Sequence, residues 1–248
     1  MKCKLVSSFF ISLFVGTAFM HQANAAIALD RTRIVYDGGN KSMSVSITNK
    51  NKELPYLAQG WIEDAEGKKI DSPFILLPPL QRIEPSAKSQ LKIQSVGGVN
   101  LLKQDKETLF YFNLREIPPK SNKPNTLQIA LQTRIKMFYR PHALMKNSVE
   151  MINIWKDNIT LTREGGKYRV NNPTPYFFTI ATVSVANKDI AEMKPVMIAP
   201  QSSIVMPVSA EKLGNAPELS FINDYGGRPK LVFRCSGAEC RVGEYKDG

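Results

Sequence analysis

From Thr126 to Arg140 the chain alternates residue by residue. The odd positions are Leu127, Ile129, Leu131, Thr133, Ile135, Met137 and Tyr139. The even ones are Gln128, Ala130, Gln132, Arg134, Lys136, Phe138 and Arg140. A period of two belongs to a strand with two unlike faces and does not suit a helix. The run predicts a strand over 126–140, far longer than the usual length of about five or six residues. Part of the odd face can pack in the core of its own domain. A strand this long at the end of a domain also presents an exposed edge, and exposed apolar edges invite pairing with another chain.

The rest of the chain repeats the pattern in shorter form. Runs at 42–47, 56–62, 89–96 and 109–117 precede the long strand. Runs at 158–162, 167–170, 176–186, 203–208 and 230–235 follow it. Gly, Pro and Asn clusters such as Asp37-Gly38-Gly39-Asn40 separate them. Short strands at regular spacing predict an all-β chain built of sandwiches, and no long segment of helical period stands out. Arg140-Pro141-His142 closes the long run and polar residues follow from Lys146, so the domain boundary is placed there. The two parts, 26–145 and 146–248, each have about the 100 residues of an immunoglobulin-like domain.

Met1-Lys2-Cys3-Lys4, an apolar stretch from Leu5 to Met20 and Ala23-Asn24-Ala25 form the basic, apolar and small-x-small parts of a secretory signal peptide. Residues 1–25 are therefore expected to be removed, taking Cys3 and His21 with them. An exported chain with only Cys235 and Cys240 left is read most simply as carrying one disulfide. Four residues, Ser236-Gly237-Ala238-Glu239, separate the pair and read as a hairpin turn. A redox pair and half a metal site are the alternatives. The first usually has C-x-x-C spacing, and the second would find only His142 to join it.

The chain has a formal net charge of +11. It nevertheless holds no block of five Lys or Arg, and exported proteins rarely meet nucleic acid, so none is expected as a partner. There is no G-x-S-x-G, P-loop, H-E-x-x-H or G-x-G-x-x-G motif. His142 follows a proline at the domain hinge and reads as solvated. Glu63 and Asp64 lie beside a turn and read as surface. No enzymatic activity, cofactor or metal is expected.

Five segments stand in an order that resembles the periplasmic pilus (fimbrial) chaperones. They are Leu29-Asp30-Arg31-Thr32-Arg33, Tyr111 to Pro118, Ile135 to Pro141, Asn172-Pro173-Thr174-Pro175-Tyr176 and Ile222-Asn223-Asp224-Tyr225-Gly226-Gly227. The resemblance spans nearly the whole exported chain. It departs from the family around Val149 to Trp155 and in the tail after Cys240. It implies two immunoglobulin-like domains at an angle with a cleft between them, in the periplasm of a Gram-negative bacterium. It also implies donor-strand complementation, a form of strand addition in which the chaperone lends a strand to an incomplete pilus subunit. The subunit then passes to an outer-membrane usher.

The resemblance assigns residues as well. Leu127, Ile129 and Leu131 match the donor-strand anchors, each contributing about 1.5–3 kcal/mol when fully buried. Arg33 and Lys136 match the cleft cations that hold the subunit's C-terminal carboxylate. An arginine fork suits that task, and fixing the chain end fixes the register. Lys136 has the opposite parity to the anchors and lies about 17 Å from Leu131 at strand rise. Glu107, Arg140 and Asp224 match an interdomain salt bridge. Pro55 and Pro79 match positions linked to usher engagement. The short connection from Lys120 to Asn125 goes with chaperones of rod-like pili. Self-association of the free protein, by capping of its own strand, is left open. The competing reading is an exported immunoglobulin-like adhesion or structural subunit.

Overall fold

The computed structural model describes residues 25–248. The leader predicted over 1–25 therefore lies outside the described residues, apart from Ala25. In the first half the strands are β1 (Ile27–Leu29), β2 (Arg33–Asp37), β3 (Ser42–Asn49), β4 (Tyr56–Glu63) and β5 (Lys69–Ile70). They continue with β6 (Phe74–Leu77), β7 (Leu80–Ile83), β8 (Lys88–Ser95), β9 (Thr108–Ile117) and β10 (Gln132–Arg140). One sheet has the order β1-β3-β8-β6. The other runs β2-β10-β9-β4-β5, with β7 also on β4. Alternate residues of both sheets meet in a core that includes Ile34, Tyr36, Phe74, Phe112 and Met137. Period-two patterning makes this arrangement, because every second side chain of each strand points between the layers.

The second half opens with a helix, α1 (Ser148–Asn158), followed by β11 (Thr160–Glu164), β12 (Lys167–Asn172), β13 (Phe178–Val185) and β14 (Lys188–Asp189). Next come β15 (Val196–Ile198), β16 (Ser202–Ser209), a single helical turn α2 (Ala210–Leu213), β17 (Glu218–Phe221), β18 (Lys230–Ser236) and β19 (Glu239–Lys246). The hydrogen-bonded path β14-β13-β17-β18-β19-β11-β12-β16 is continuous, because β19 pairs with β18 on one side and β11 on the other. A second, separate core forms between its two limbs.

Helix α1 corrects the expectation that no helical segment stands out. Its start is a capping box. The Asn147 side chain accepts from the Glu150 N–H, and the Glu150 carboxylate accepts from the Asn147 N–H, each at 2.9 Å. Met151 and Trp155, four residues apart, share its buried face. Trp155 packs on Tyr176, Phe178 and Phe221. The helix also displaces the start of the strand expected at 158 to Thr160.

Candidate functional site

The long strand is shorter than predicted, and the reason is local. Strand β10 starts at Gln132, not Thr126. The ladder with β9 ends where the Glu116 N–H donates to the Leu131 carbonyl at 2.9 Å. Two residues further along, the donor that would reach Ile129 belongs to Pro118, which has no N–H. Pro119 follows it. The segment before Gln132 is thus held outside the sheet. Leu127 is 85% exposed, Ile129 64% and Leu131 37%. Gln128, of opposite parity, ties the segment back. Its amide donates to the Pro119 carbonyl at 2.5 Å and accepts from the Ser121 N–H at 3.2 Å. The odd side chains therefore divide. Ile135, Met137 and Tyr139 pack in the first core, while Leu127, Ile129 and Leu131 stand open.

The other edge of β10 is covered over only part of its length. Strand β2 runs parallel to it and begins at Arg33, whose partner in register is Lys136. Upstream of Lys136 that edge faces no strand among the described residues. The two cations thus mark the point where the free edge stops. Arg33 is 8% exposed and donates from Nη1 to the Ile222 carbonyl of the second domain at 3.0 Å. Its Nε is buried without a partner among the described residues. Burial pushes the Arg33 pKa down, opposed by the Asp224 and Glu107 carboxylates. Burial likewise lowers the Lys136 ammonium, and the Arg33 charge lowers it further. Two partly desolvated like charges side by side are a site that an anion would relieve. A cleft of about 440 Å³ between the domains includes Arg33, Lys146 and Tyr225 in its walls.

Arg140 joins the domains. Its Nε donates to Glu107 at 2.8 Å, and its two terminal nitrogens form a fork on Asp224 at 2.7 and 2.9 Å. The second Glu107 oxygen accepts from the Phe177 N–H of the other domain at 2.7 Å. The guanidinium lies over the Tyr176 ring, 4.9 Å from its centroid. Two carboxylates hold the Arg140 pKa above the ordinary arginine value against burial. Burial pushes Glu107 up to about 7, against the pull of Arg140. Phe138 packs on Phe177 at 5.4 Å in the same joint. On the even face of β10, Phe138 and Arg140 thus serve the joint with the second domain, while the odd side chains from Ile135 onward serve the first core.

Models of two families cover most of the chain. Residues 26–145 match the pili and flagellar-assembly chaperone, PapD N-terminal domain, and residues 154–233 match the pili assembly chaperone PapD, C-terminal domain. The chain belongs to the pilus-assembly chaperone family. It is 49% identical to chaperone protein PapD of Escherichia coli over 90% of this chain and 92% of that protein. It is 48% identical to the probable fimbrial chaperone YfcS of E. coli K12, over 90% and 88% of the two chains. Among solved structures it resembles the complex of Salmonella enterica SafA pilin with the SafB chaperone. The TM-score there is 0.70 at 25% identity, covering 87% of this chain and 99% of that one. The family's role in folding and assembly is not enzymatic.

Cys235 and Cys240 are disulfide-bonded across the β18–β19 hairpin. Its turn is Gly237-Ala238, with Gly237 at φ +62°, where glycine carries no Cβ penalty. His142 is exposed, and its Nδ1 lies 2.9 Å from Asp37. Pro55 borders a shallow basin with Leu57, Ile117 and Pro118, whereas Pro79 is not part of it. Glu63 departs from its reading as free surface. It accepts from Trp61 Nε1 at 2.8 Å and from Arg134 Nε at 2.9 Å on the outer face of the sheet. Sequence reasoning also missed Gln128, Phe138 and Ile222. Only Gln128 left a signal, as the polar residue facing away from three apolar neighbours.

Proposed function

We propose that the chaperone acts in the periplasm by lending residues 126–131 and the free edge of β10 to a pilus subunit that lacks a strand. One observation carries this reading. An apolar segment held outside the sheet before Leu131 continues along the free edge of β10 to a pair of partly buried cations, where that edge ends. An incoming strand can pair along that edge only as far as β2. If its terminal carboxylate lies at Arg33 and Lys136, it runs in the same direction as β10. Leu127, Ile129 and Leu131 then fill the subunit's open groove, each contributing about 1.5–3 kcal/mol. The carboxylate would supply the missing acceptor for the Arg33 fork and neutralise Lys136.

The Glu107–Arg140–Asp224 cluster serves to hold the two domains in the arrangement that frames the cleft. Residues 26–145 and 146–248 form the two domains of this reading, and residues 1–25 the export signal. An outer-membrane usher is the destination of the loaded complex, with Pro55 and Pro79 on the surface it would meet. The free protein would also be able to cap its own donor segment with a second copy. Co-purification from periplasm tests the reading. One-to-one complexes with pilus subunits are expected, and they should be lost when Arg33 and Lys136 are both replaced by alanine. Assembly of the chain itself into the fibre would favour the competing reading as a structural subunit.

A further inference from the structure

The cation that begins β2 is aimed from the other domain. Arg33 Nη1 donates to the carbonyl of Ile222 at 3.0 Å, and the Ile222 N–H is itself held by the Thr179 carbonyl of β13 at 2.9 Å. The turn that follows is rigid on its own account. The Asn223 side chain accepts from the N–H groups of Tyr225 and Gly227, at 3.1 and 2.8 Å. The Asn223 carbonyl accepts from the Gly226 N–H at 3.0 Å. The turn is also pinned to the first domain at two points. Asp224 takes the Arg140 fork, and Gly226 packs so closely on Thr32 that a Cβ there would overlap its hydroxyl. Gly226 has φ +86°, a conformation that L side chains rarely adopt. Thr32 is the residue before Arg33.

We propose that the 222–227 turn of the second domain is the positioning element of Arg33. It fixes one N–H of the fork and the backbone just before it, so that the remaining donors are set before an anion arrives. The first domain contributes the cation and the second sets its direction. Carboxylate capture then depends on the domains being docked, although neither Ile222 nor Gly226 need touch the carboxylate. This inference rests on the reading of Arg33 as a carboxylate ligand.

The test uses the full exported chain and two synthetic peptides of one alternating valine–threonine sequence, one a C-terminal free acid and the other its amide. The measured quantity is the ratio of their dissociation constants. Wild type should prefer the acid by about tenfold or more, as one charge-assisted hydrogen bond implies. Arg33→Ala should cut that ratio to about threefold or less, with Lys136 remaining. Gly226→Ala should cut it to the same level while amide binding holds. Asn223→Ala, which loosens the turn without adding a clash, should do likewise and carries the test if Gly226→Ala does not fold. A purely structural turn would weaken both peptides together and leave the ratio unchanged. Wild-type ratios in the two turn variants, with Arg33→Ala still defective, would overturn the positioning role alone. No acid preference in wild type would overturn the carboxylate reading and this inference with it.

Discussion

Lys136 stands opposite Arg33 in the parallel pairing of β10 with β2, so two cations occupy neighbouring positions on one sheet face. Like charges at paired positions destabilise a sheet. On the proposed reading, their cost in the free protein is offset when the complex forms. Lys136→Ala is therefore expected to leave the melting temperature unchanged or slightly raised, while subunit capture falls by an amount equivalent to about 2–5 kcal/mol. Wild-type recovery of subunit by a folded Arg33→Ala/Lys136→Ala protein would remove the cations from the binding site.

Capture should also weaken on the alkaline side of neutrality. Burial and the Arg33 charge already lower the Lys136 pKa from 10.5 in the free protein. A bound carboxylate favours the charged form and raises it again. Binding therefore takes up protons as the pH approaches the lowered value, and affinity falls with rising pH there. Calorimetry of capture in buffers of different ionisation heat reads that uptake directly. Lys136→Arg should flatten the dependence.

Ile129 is 64% exposed in the free protein, so its replacement should act on the complex and not on the fold. Ile129→Asp would place an unpaired carboxylate in the subunit's groove, which is costly. Ile129→Val loses one methylene and should cost about 0.5–1.5 kcal/mol of complex stability. The expected order of complex stability is wild type, Val, Asp, at nearly constant chaperone melting temperature. Unfolding of the free Asp variant would instead place Ile129 in the domain's own core.

The domain joint carries its own pH signature. Burial raises the folded pKa of Glu107 from 4.5 to about 7. Between these values the folded state holds a proton that the unfolded chain has lost. Stability from this group is therefore full below 4.5 and declines as pH rises towards 7. The melting-temperature advantage of wild type over Glu107→Gln should shrink across that interval. A difference that grows with pH would mean that the pairing with Arg140 outweighs burial.

Cys235 and Cys240 are bridged, and Cys240 is fully buried in the second core. Denatured, unreduced protein should show no titratable thiol. Reduction should cost about 2 kcal/mol, a small amount because the closed loop is short.

Much of the architecture is legible in the chain because a strand declares itself through immediate neighbours. The alternation around Met43 to Ile47, or around Phe110 to Leu114, needs no knowledge of the partner strand. Helix α1 is less legible: Asn147, Glu150 and the Met151–Trp155 spacing mark it, but two buried residues and two partly buried isoleucines, Ile152 and Ile154, make a weak period. The alternation continues past the end of β10 because a strand's own residues do not show where its neighbour stops pairing. The stop lies in Pro118, the residue after β9, not in any residue of the alternating run. Arg33 beside Lys136 depends on a parallel pairing between distant segments, and only the family pattern brought the two together in sequence. The Ile222 carbonyl is a backbone group and leaves no mark in residue identity.

Two consecutive prolines have a consequence for the life of the unoccupied molecule. Pro118 and Pro119 prevent the chain from zipping its own tip closed, so it keeps a template for strand addition from the moment it folds. Such a template attracts aggregation as readily as a client. Lys120 and Lys123 lie exposed on the same loop, within a strongly basic protein, and charge of this kind discourages chance encounters between copies. Readiness and solubility are thus set against each other within a few residues, and salt, which screens the charges but spares the apolar edge, shifts the balance towards self-capture.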